Sequence, residues 1–471
     1  MKQHILLRAV VLLLAVAAGL NMAYLWMQSS NPADTTYPES LTLHWIGQAA
    51  AGDTVYQDYH QPPFNPTPYT PVYYWTMGAV QRTFHLDVDA TARTGRRLVL
   101  FCAALLAALA AWAVRNDGWE LSAISGTIFL GAPILWPWAC SNRPDLLGCL
   151  LAMAGYLLCT RASGRTVRAL SIPLLILAVF AKQTLIAAPL ALVVHRCRER
   201  GAKAAAGLAL QFILGIGAVA AALQWATGGL FLLNVWGINR NPLMLDAFAT
   251  VGSAFLVTAA LPLVLGLAGG LVRGWKNPDT LYFTMAFVFA AASAAKWGSN
   301  VNYFMEPLIV ACLLIPAGLN WAFERLDLRG VVLFAAAAAI VALPQIHGRI
   351  ASIRAVGFSD RSALRAFAAQ ARRPILTDDP RVGLWTSRPF MLEPFQLLCL
   401  EQAGRWSADQ AVAMVRAGDF DAVILSVPLE RHVNHQWHIR FPQRILEEIQ
   451  ASYVYSTRIN GCYVYVPKTP L

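Results

Sequence analysis

A polytopic α-helical membrane protein ending in a soluble α/β domain is the fold class this sequence predicts, on three observations. Hydrophobic residues make up 57% of the chain and charged residues 13%, with a mean hydropathy of +0.48, against roughly 45–50% and 25% in soluble domains. The apolar residues gather in blocks of about 17 to 25, the length a helix needs to cross hydrocarbon, with no β-barrel alternation. From residue 348 onward the sequence turns polar and mixed.

The chain opens with Lys2, His4 and Arg8 ahead of an apolar run over 11–26 that no small-residue cleavage signature follows. That pattern predicts a retained first span with its amino end in the cytoplasm. Further blocks cover approximately 97–114, 120–139, 145–160, 169–195, 204–226, 250–272, 280–295, 304–321 and 330–347. Basic loops flank the 170–194 block on both sides, with Arg161, Arg165 and Arg168 before it and Arg196, Arg198 and Arg200 after it. Positive-inside logic makes it a hairpin breaking at Lys182-Gln183-Thr184, which brings the total to about 11 spans; a single span is the alternative.

Residues 70–84 are apolar but too short to span comfortably, so a helix along the membrane surface is expected, although Arg82, Arg93, Arg96 and Arg97 weigh against it. The chain divides into a transmembrane domain, 1–347, with its first outer loop at 28–96, and a C-terminal domain, 348–471. In the latter, strand-like 375–377, 422–426, 453–457 and 462–466 alternate with helical stretches. On this topology the first loop, the turn at 141–145, the loops at 227–246 and 296–303 and the C-terminal domain share one face.

The formal charge of +11 raises the question of a nucleic-acid partner. The arginines sit in short loops between apolar blocks, the bias of cytoplasmic loops, so no nucleic acid is expected. Of 8 cysteines, only Cys399 and Cys462 share the soluble region, where they could pair if it is oxidising. His432, His435 and His438 are spaced by three, but no carboxylate or cysteine nearby completes a metal site, so a solvated face is expected.

The chemistry-bearing residues concentrate in the loops of the shared face. In Tyr37-Pro38-Glu39 the proline suits the first helical position and puts Glu39 in a first turn, where backbone N–H groups and the helix dipole favour the carboxylate. Ser40, His44 and Gln48 form one stripe of this helix and Leu41, Trp45 and Ala49 the opposing one, as at a bilayer surface. Asp34 lies upstream, with Asp53, Asp58 and His60 downstream. Such carboxylates can bind a divalent metal ion, Asp34 and Glu39 being the ligands if there is one, or supply a general base.

The stretch 61–74 is proline-rich and aromatic, a stiff wall that includes Tyr69 and Tyr74 and suits either a sugar ring or lipid headgroups. Arg143-Pro144-Asp145 repeats the proline-carboxylate pattern. Lys182 lies within an apolar block, where its charge costs at least about 2.5 kcal/mol without an anion or water. Phosphate is the expected partner. Lys296 precedes a polar interruption in which Asn302 and Glu306, one helical turn apart, can face one cavity.

These motifs in this order resemble the GT-C class of membrane glycosyltransferases, near the bacterial enzymes related to the lipid A aminoarabinose transferase and the protein O-mannosyltransferases of glycosyltransferase family 39. The resemblance rests on Asp34 with Tyr37-Pro38-Glu39, Pro68-Tyr69-Thr70-Pro71-Val72-Tyr73-Tyr74, Arg143-Pro144-Asp145, Ala181-Lys182-Gln183-Thr184, Asn302-Tyr303-Phe304 and the tail at 374–395 with Gly404-Arg405-Trp406. It covers nearly the whole chain. It implies a GT-C fold in the bacterial inner membrane, with the C-terminal domain in the periplasm.

It also implies transfer of a hexose or pentose from a polyprenyl-phosphate donor to a lipid, glycan or protein acceptor. A lipid phosphate leaves readily when cations stabilise it, whereas the acceptor hydroxyl needs a base. Lys182, Arg143 and Lys296 are then expected at the donor phosphate, Glu39 or Asp34 as base, and Asp145, Tyr69, Tyr74, Gln183, Asn302, Tyr303 and Glu306 around the substrate, with inversion at the anomeric carbon. The acidic pair five positions apart departs from the Asp-Glu pair of the protein mannosyltransferases. A transporter competes but predicts an inverted repeat, which the halves lack; a lipid-linked polysaccharide polymerase or ligase is the closer rival.

Overall fold

The computed structural model describes residues 2–358, 360–434 and 440–468. One-turn helices aside, the helices of the apolar region are α1 (Lys2–Gln28), α2 (Glu39–Ala51), α3 (Val72–Phe84), α4 (Val88–Ala113), α5 (Trp119–Gly131), α6 (Asp145–Arg161), α7 (Ser171–Ala181), α8 (Ala187–Ala226), α9 (Leu245–Arg273), α10 (Pro278–Ala294), α11 (Met305–Leu326) and α12 (Leu328–Arg354). Among the described residues, 6 helices are long and apolar enough to cross a membrane: α1, α4, α8, α9, α12, and α11 with its lead-in from Val301.

Local chemistry sets several boundaries. Helix α2 begins at Glu39 behind Pro38 and ends where Gly52, at φ 90°, lets the next two N–H groups return to Ala49 and Gln48. Helix α4 starts well before the apolar block, because the Asp87 side chain caps the Ala90 N–H at 2.7 Å; Arg93, Arg96 and Arg97 therefore lie inside it. Helix α3 is a separate 13-residue helix packed on α2. The last bundle helix runs to Arg354, past the expected boundary at 347.

The 170–194 block breaks where the charge falls. Helix α7 stops at Ala181, Lys182 is extended, and α8 begins at Ala187. Helix α8 breaks in turn at Gly201, whose φ of 80° and ψ of 170° separate two apolar helices. One end of the bundle gathers Arg161, Arg273 and Asp117 around Asp279, with Arg198 bonded to the Trp275 carbonyl. Lys182 sits at the opposite end, against Asp145 at the start of α6. Both basic flanks thus share an end of the bundle, opposite Lys182.

Close helix contacts rest on small residues. Between α9 and α11, a Cβ on Gly269 would stand 1.9 Å from the Leu314 carbonyl oxygen, and one on Gly266 2.6 Å from the Ala311 Cβ. Such stripes let backbones approach where lipid provides no hydrophobic drive.

Strands β1 (Ile375–Thr377), β2 (Ala422–Leu425), β3 (Tyr453–Ile459) and β4 (Cys462–Pro467) form a sheet ordered β1-β2-β4-β3. Strands β1 and β2 run parallel and the other pairs antiparallel. Asn460 and Gly461, both at positive φ, make the tight β3–β4 turn. Helices α13 (Ser362–Ala369), α14 (Pro380–Leu384), α15 (Pro394–Gln402), α16 (Asp409–Ala417) and α17 (Gln443–Ser452) complete the unit. Cys399 and Cys462 are separate buried thiols, so the possible pairing is not made. His435 and His438 lie outside the described residues, as does the side chain of His432.

The C-terminal unit is bonded to the first loop. Phe64 N–H donates to the Met391 carbonyl at 2.8 Å and Glu393 N–H to the Phe64 carbonyl at 3.0 Å. The Gly269→Val variant is expected to separate α9 from α11 and lower both yield and melting temperature in detergent, whereas Gly217→Val, with nothing within 4 Å of its added Cβ, should behave as wild type. Equal melting of the two variants would refute the close-packing account.

Candidate functional site

Glu39 stands at the centre of the first loop and is fully buried. Arg96 grips it with two bonds of 2.7 Å, Nε to Oε1 and Nη2 to Oε2. Oε1 also accepts from the Asn142 backbone N–H and side-chain amide, both at 2.9 Å, and Oε2 from the Thr35 N–H at 2.9 Å and hydroxyl at 3.3 Å. Burial alone would raise its pKa, but the Arg96 charge and bonds, with Arg381 and the Thr35 N–H, outweigh it and hold the carboxyl at about 2. The expectation that Glu39 is the base does not fit: its lone pairs are occupied and its proton affinity is low.

Asp34 is engaged as well. Its Oδ1 accepts from the Ser40 hydroxyl at 2.7 Å and from Arg381 Nη2 at 2.7 Å and Nε at 3.1 Å, while Oδ2 accepts from the Ser40 N–H at 2.9 Å. Burial, with the Glu39 and Asp379 carboxylates nearby, pushes Asp34 up from its ordinary value against the pull of Arg381. Asp34 and Glu39, the expected ligands of a divalent ion if there is one, are each paired with a guanidinium, Arg381 and Arg96. Among the described residues no group of three or more His, Cys, Asp or Glu side chains converges to hold a metal ion.

The expected polar stripe of α2 is covered. Arg381 Nε donates to the Ser40 hydroxyl at 2.9 Å, and the Phe390 ring lies 5.4 Å from that of His44. Burial lowers the His44 pKa to about 4. The face that would meet water in an isolated loop meets the C-terminal unit instead.

Beside this loop lies a cavity of about 580 Å³ between the bundle and the C-terminal unit, within the range of roughly 300–1,000 Å³ of ligand pockets. Its walls are aromatic, with Trp45, Tyr69, Trp138, Trp297, Tyr303 and Phe395, and its polar groups include Tyr37, Arg143, Asn302, Glu393 and Arg440. Arg143 is wedged between the rings of Tyr69 and Trp138, 5.2 and 5.4 Å from their centroids. Its Nη2 donates to the Tyr69 hydroxyl at 2.5 Å and its Nε reaches Asp145 at 3.4 Å. The buried Nη1 has no partner.

Behind Arg143, Asp145 accepts from Lys182 and, at 2.7 Å, from Asn302. The buried lysine thus finds its anion in the protein itself, with the Tyr303 ring 4.5 Å from its ammonium. Asn302 and Glu306 face one narrow cleft with Lys182 and Asp145, as their spacing suggested, and Glu306 accepts from the Tyr282 hydroxyl at 2.9 Å. Besides Asp34 and Glu39, three expected site residues line neither the cavity nor the cleft. Gln183 supports the proline-rich wall by donating to the Pro68 carbonyl at 2.8 Å. Tyr74 packs behind it on Trp45, ring centroids 5.5 Å apart. Lys296 bridges through its backbone to Leu243, while its neighbours Trp297 and Gly298 reach the wall.

Glu393 was not expected from the sequence. It caps α15 by accepting from the Gln396 N–H at 2.5 Å, and it accepts from the Tyr37 hydroxyl at 3.3 Å. Burial raises it to about 7 against the pull of those hydrogen bonds and of Arg440. Its only sequence signal is Glu-Pro at a helix start. Arg96 and Arg381 have no sequence signal beyond being arginines near apolar segments.

No family model matches the chain, and no curated protein does. Solved structures do. ArnT from Cupriavidus metallidurans bound to undecaprenyl phosphate superposes with a TM-score of 0.61 at 16% identity over 97% of both chains. ArnT in the apo state gives 0.63 at 15% identity, again over 97% of both. The Archaeoglobus fulgidus oligosaccharyltransferase in complex with Zn and sulfate gives 0.53 at 12% identity, covering 98% of this chain and 74% of that one.

The fold is therefore the GT-C architecture that the motifs resembled. Within it, the ArnT structures match this chain end to end, C-terminal unit included.

Replacing Glu39 with Gln leaves the Arg96 charge buried without its counter-ion and should cost about 3–5 kcal/mol. Because the folded value lies below the ordinary 4.5, this stabilisation is present above that pH and disappears as pH falls toward about 2. Melting curves in detergent should show a wild-type advantage over E39Q at pH 7 that shrinks in acid; an advantage independent of pH would contradict the pairing.

Proposed function

We propose that this protein is a GT-C glycosyltransferase that moves a sugar from a polyprenyl-phosphate donor to an acceptor hydroxyl at the non-cytoplasmic face of a bacterial inner membrane. The observation that carries this reading is the cavity itself: an aromatic chamber of about 580 Å³ lined by the Arg143 guanidinium, which keeps one buried nitrogen without a partner. It is set in a fold shared with ArnT, crystallised with undecaprenyl phosphate.

Arg143 is assigned to the donor phosphate. Two rings and the Tyr69 hydroxyl hold its plane in the cavity wall, so its charge is fixed in advance beside the position assigned to the leaving phosphate. Lys182 acts from behind, fixing Asp145 and through it Arg143 and Asn302. Lys296, next in sequence to the wall residues Trp297 and Gly298, is assigned to the approach of the lipid phosphate. Aromatic faces suit the C–H faces of a sugar ring. The acceptor, a lipid, glycan or protein hydroxyl, enters from the side of the C-terminal unit, and in-line attack inverts the anomeric carbon.

The orientation follows from charge. The end holding Arg161, Arg168, Arg196, Arg198 and Arg200 is assigned to the cytoplasm by the positive-inside rule, which puts the cavity and the C-terminal unit in the periplasm. Counting α1, α4, α5, α6, α7, both halves of α8, α9, α10, α11 and α12 gives about eleven crossings with a cytoplasmic amino terminus.

Purified protein given undecaprenyl-phosphate sugars and a membrane lipid extract should release bare undecaprenyl phosphate. Arg143→Ala should lower that rate about 10²–10³-fold, the usual effect of losing one oriented donor, and Arg143→Lys should recover part of it. No lipid-phosphate release from any hexose or pentose donor would rule the reading out.

A further inference from the structure

Acceptor activation requires a proton acceptor in the cavity wall, and Asp34 and Glu39, the two carboxylates expected in that role, are tied to arginines. Glu393 is the carboxylate that the fold delivers to the wall. It comes from the C-terminal unit, held there by the Phe64 strand bridge on one side and α15 on the other. Beside it in the same wall is the half-buried Tyr37, whose hydroxyl donates to Oε1 at 3.3 Å. The Tyr37 ring lies between the Arg440 guanidinium, 4.4 Å from its centroid, and the Phe395 ring, at 6.4 Å.

We propose that Glu393, reached through the Tyr37 hydroxyl, accepts the proton of the acceptor during glycosyl transfer; this rests on the function proposed above. In the step, the acceptor oxygen bonds to the anomeric carbon while its proton passes to the Tyr37 oxygen. Tyr37 hands its own proton to Glu393. The bond from the anomeric carbon to the phosphate oxygen breaks, its electron pair leaving with the polyprenyl phosphate toward Arg143. Glu393 later loses the proton to water. No redox partner is needed, and charge balances, since the diester monoanion becomes a monoester dianion plus that proton.

The first loop and the tail thereby each supply half of one device: Tyr37 comes from the loop that Glu39 holds in place, and Glu393 from the unit that Arg381 fastens to the same loop. The titratable and charged groups around Glu393 are Tyr37 from the first loop, Arg440 from the segment before α17, and Cys399 on its own helix, with Asp378 beyond Tyr37. Arg440 favours the ionised base. Burial opposes it and sets the balance near neutrality.

The test is undecaprenyl-phosphate release by purified full-length protein, with a membrane lipid extract as acceptor, followed as kcat and KM from pH 5.5 to 9. Wild type should show a rising limb centred near pH 7, because the base must be ionised. Glu393→Gln keeps an oxygen for the Gln396 cap, so the helix start survives. It should lower kcat about 10²–10⁴-fold, leave the donor KM within about threefold, and abolish the limb. Glu393→Asp should restore part of the rate, and Tyr37→Phe should lower kcat without raising the donor KM.

A Glu393→Gln variant with wild-type kcat, or with the limb intact, overturns the inference and leaves the proposed function standing. Loss confined to KM overturns it too, as a binding role. Absence of transfer by wild type on any donor removes both readings.

Discussion

The Arg96–Glu39 pair is the interaction on which the rest of the structure depends. Two fully buried charges are tolerable inside an apolar bundle only when every donor and acceptor is matched, and here the matching recruits three separate parts of the chain. Arg96 brings the start of α4. Asn142 brings the turn before α6. Thr35 brings the loop after α1, and the remaining Arg96 donors bind the Asn31 and Ala33 carbonyls of that same loop. The first loop is therefore fixed from its centre, and the wall residues on either side of Glu39 inherit its position.

A second layer of arginine bonds carries that order outward. Arg381, nearly as buried as Arg96, reaches from α14 to Asp34, to Ser40 and, at 3.2 Å, to Asp89 at the start of α4. The C-terminal unit is thus bonded to both elements that Glu39 joins. Its attachment covers the polar face of α2 and presents Glu393, Phe395 and Arg440 to the cavity. Chemistry placed on the C-terminal unit is held in register with chemistry placed on the bundle because both are anchored to the same short stretch of loop.

The bundle supplies the remaining wall by the same rule of paired charge. Lys182 can sit at the tip of a hairpin between apolar helices because Asp145 faces it, and Asp145 in turn orients Asn302 and Arg143. Only Arg143 has a buried nitrogen left over among the cavity arginines described, since aromatic rings take the positions where a carboxylate would otherwise saturate it. A cation kept short of one partner beside an open chamber is suited to an anionic ligand.

The sequence by itself determined what depends on solvent preference and local backbone chemistry. Apolar block length dictated a membrane bundle, Lys182 marked the break between α7 and α8, Pro38-Glu39 and Pro144-Asp145 dictated two helix starts, and the pattern of the tail located the four strands found among the described residues. Asn302 and Glu306 followed from helical spacing. Only the tertiary structure decided which carboxylate is held by an arginine and which faces the cavity, because that depends on partners distant in sequence: Arg96 lies 57 positions from Glu39, and Arg381 lies 347 from Asp34. A carboxylate in a first turn looks the same in sequence whether it is a base or a structural counter-ion. The difference lies in what the fold packs around it, and for Glu39 that is a complete set of donors.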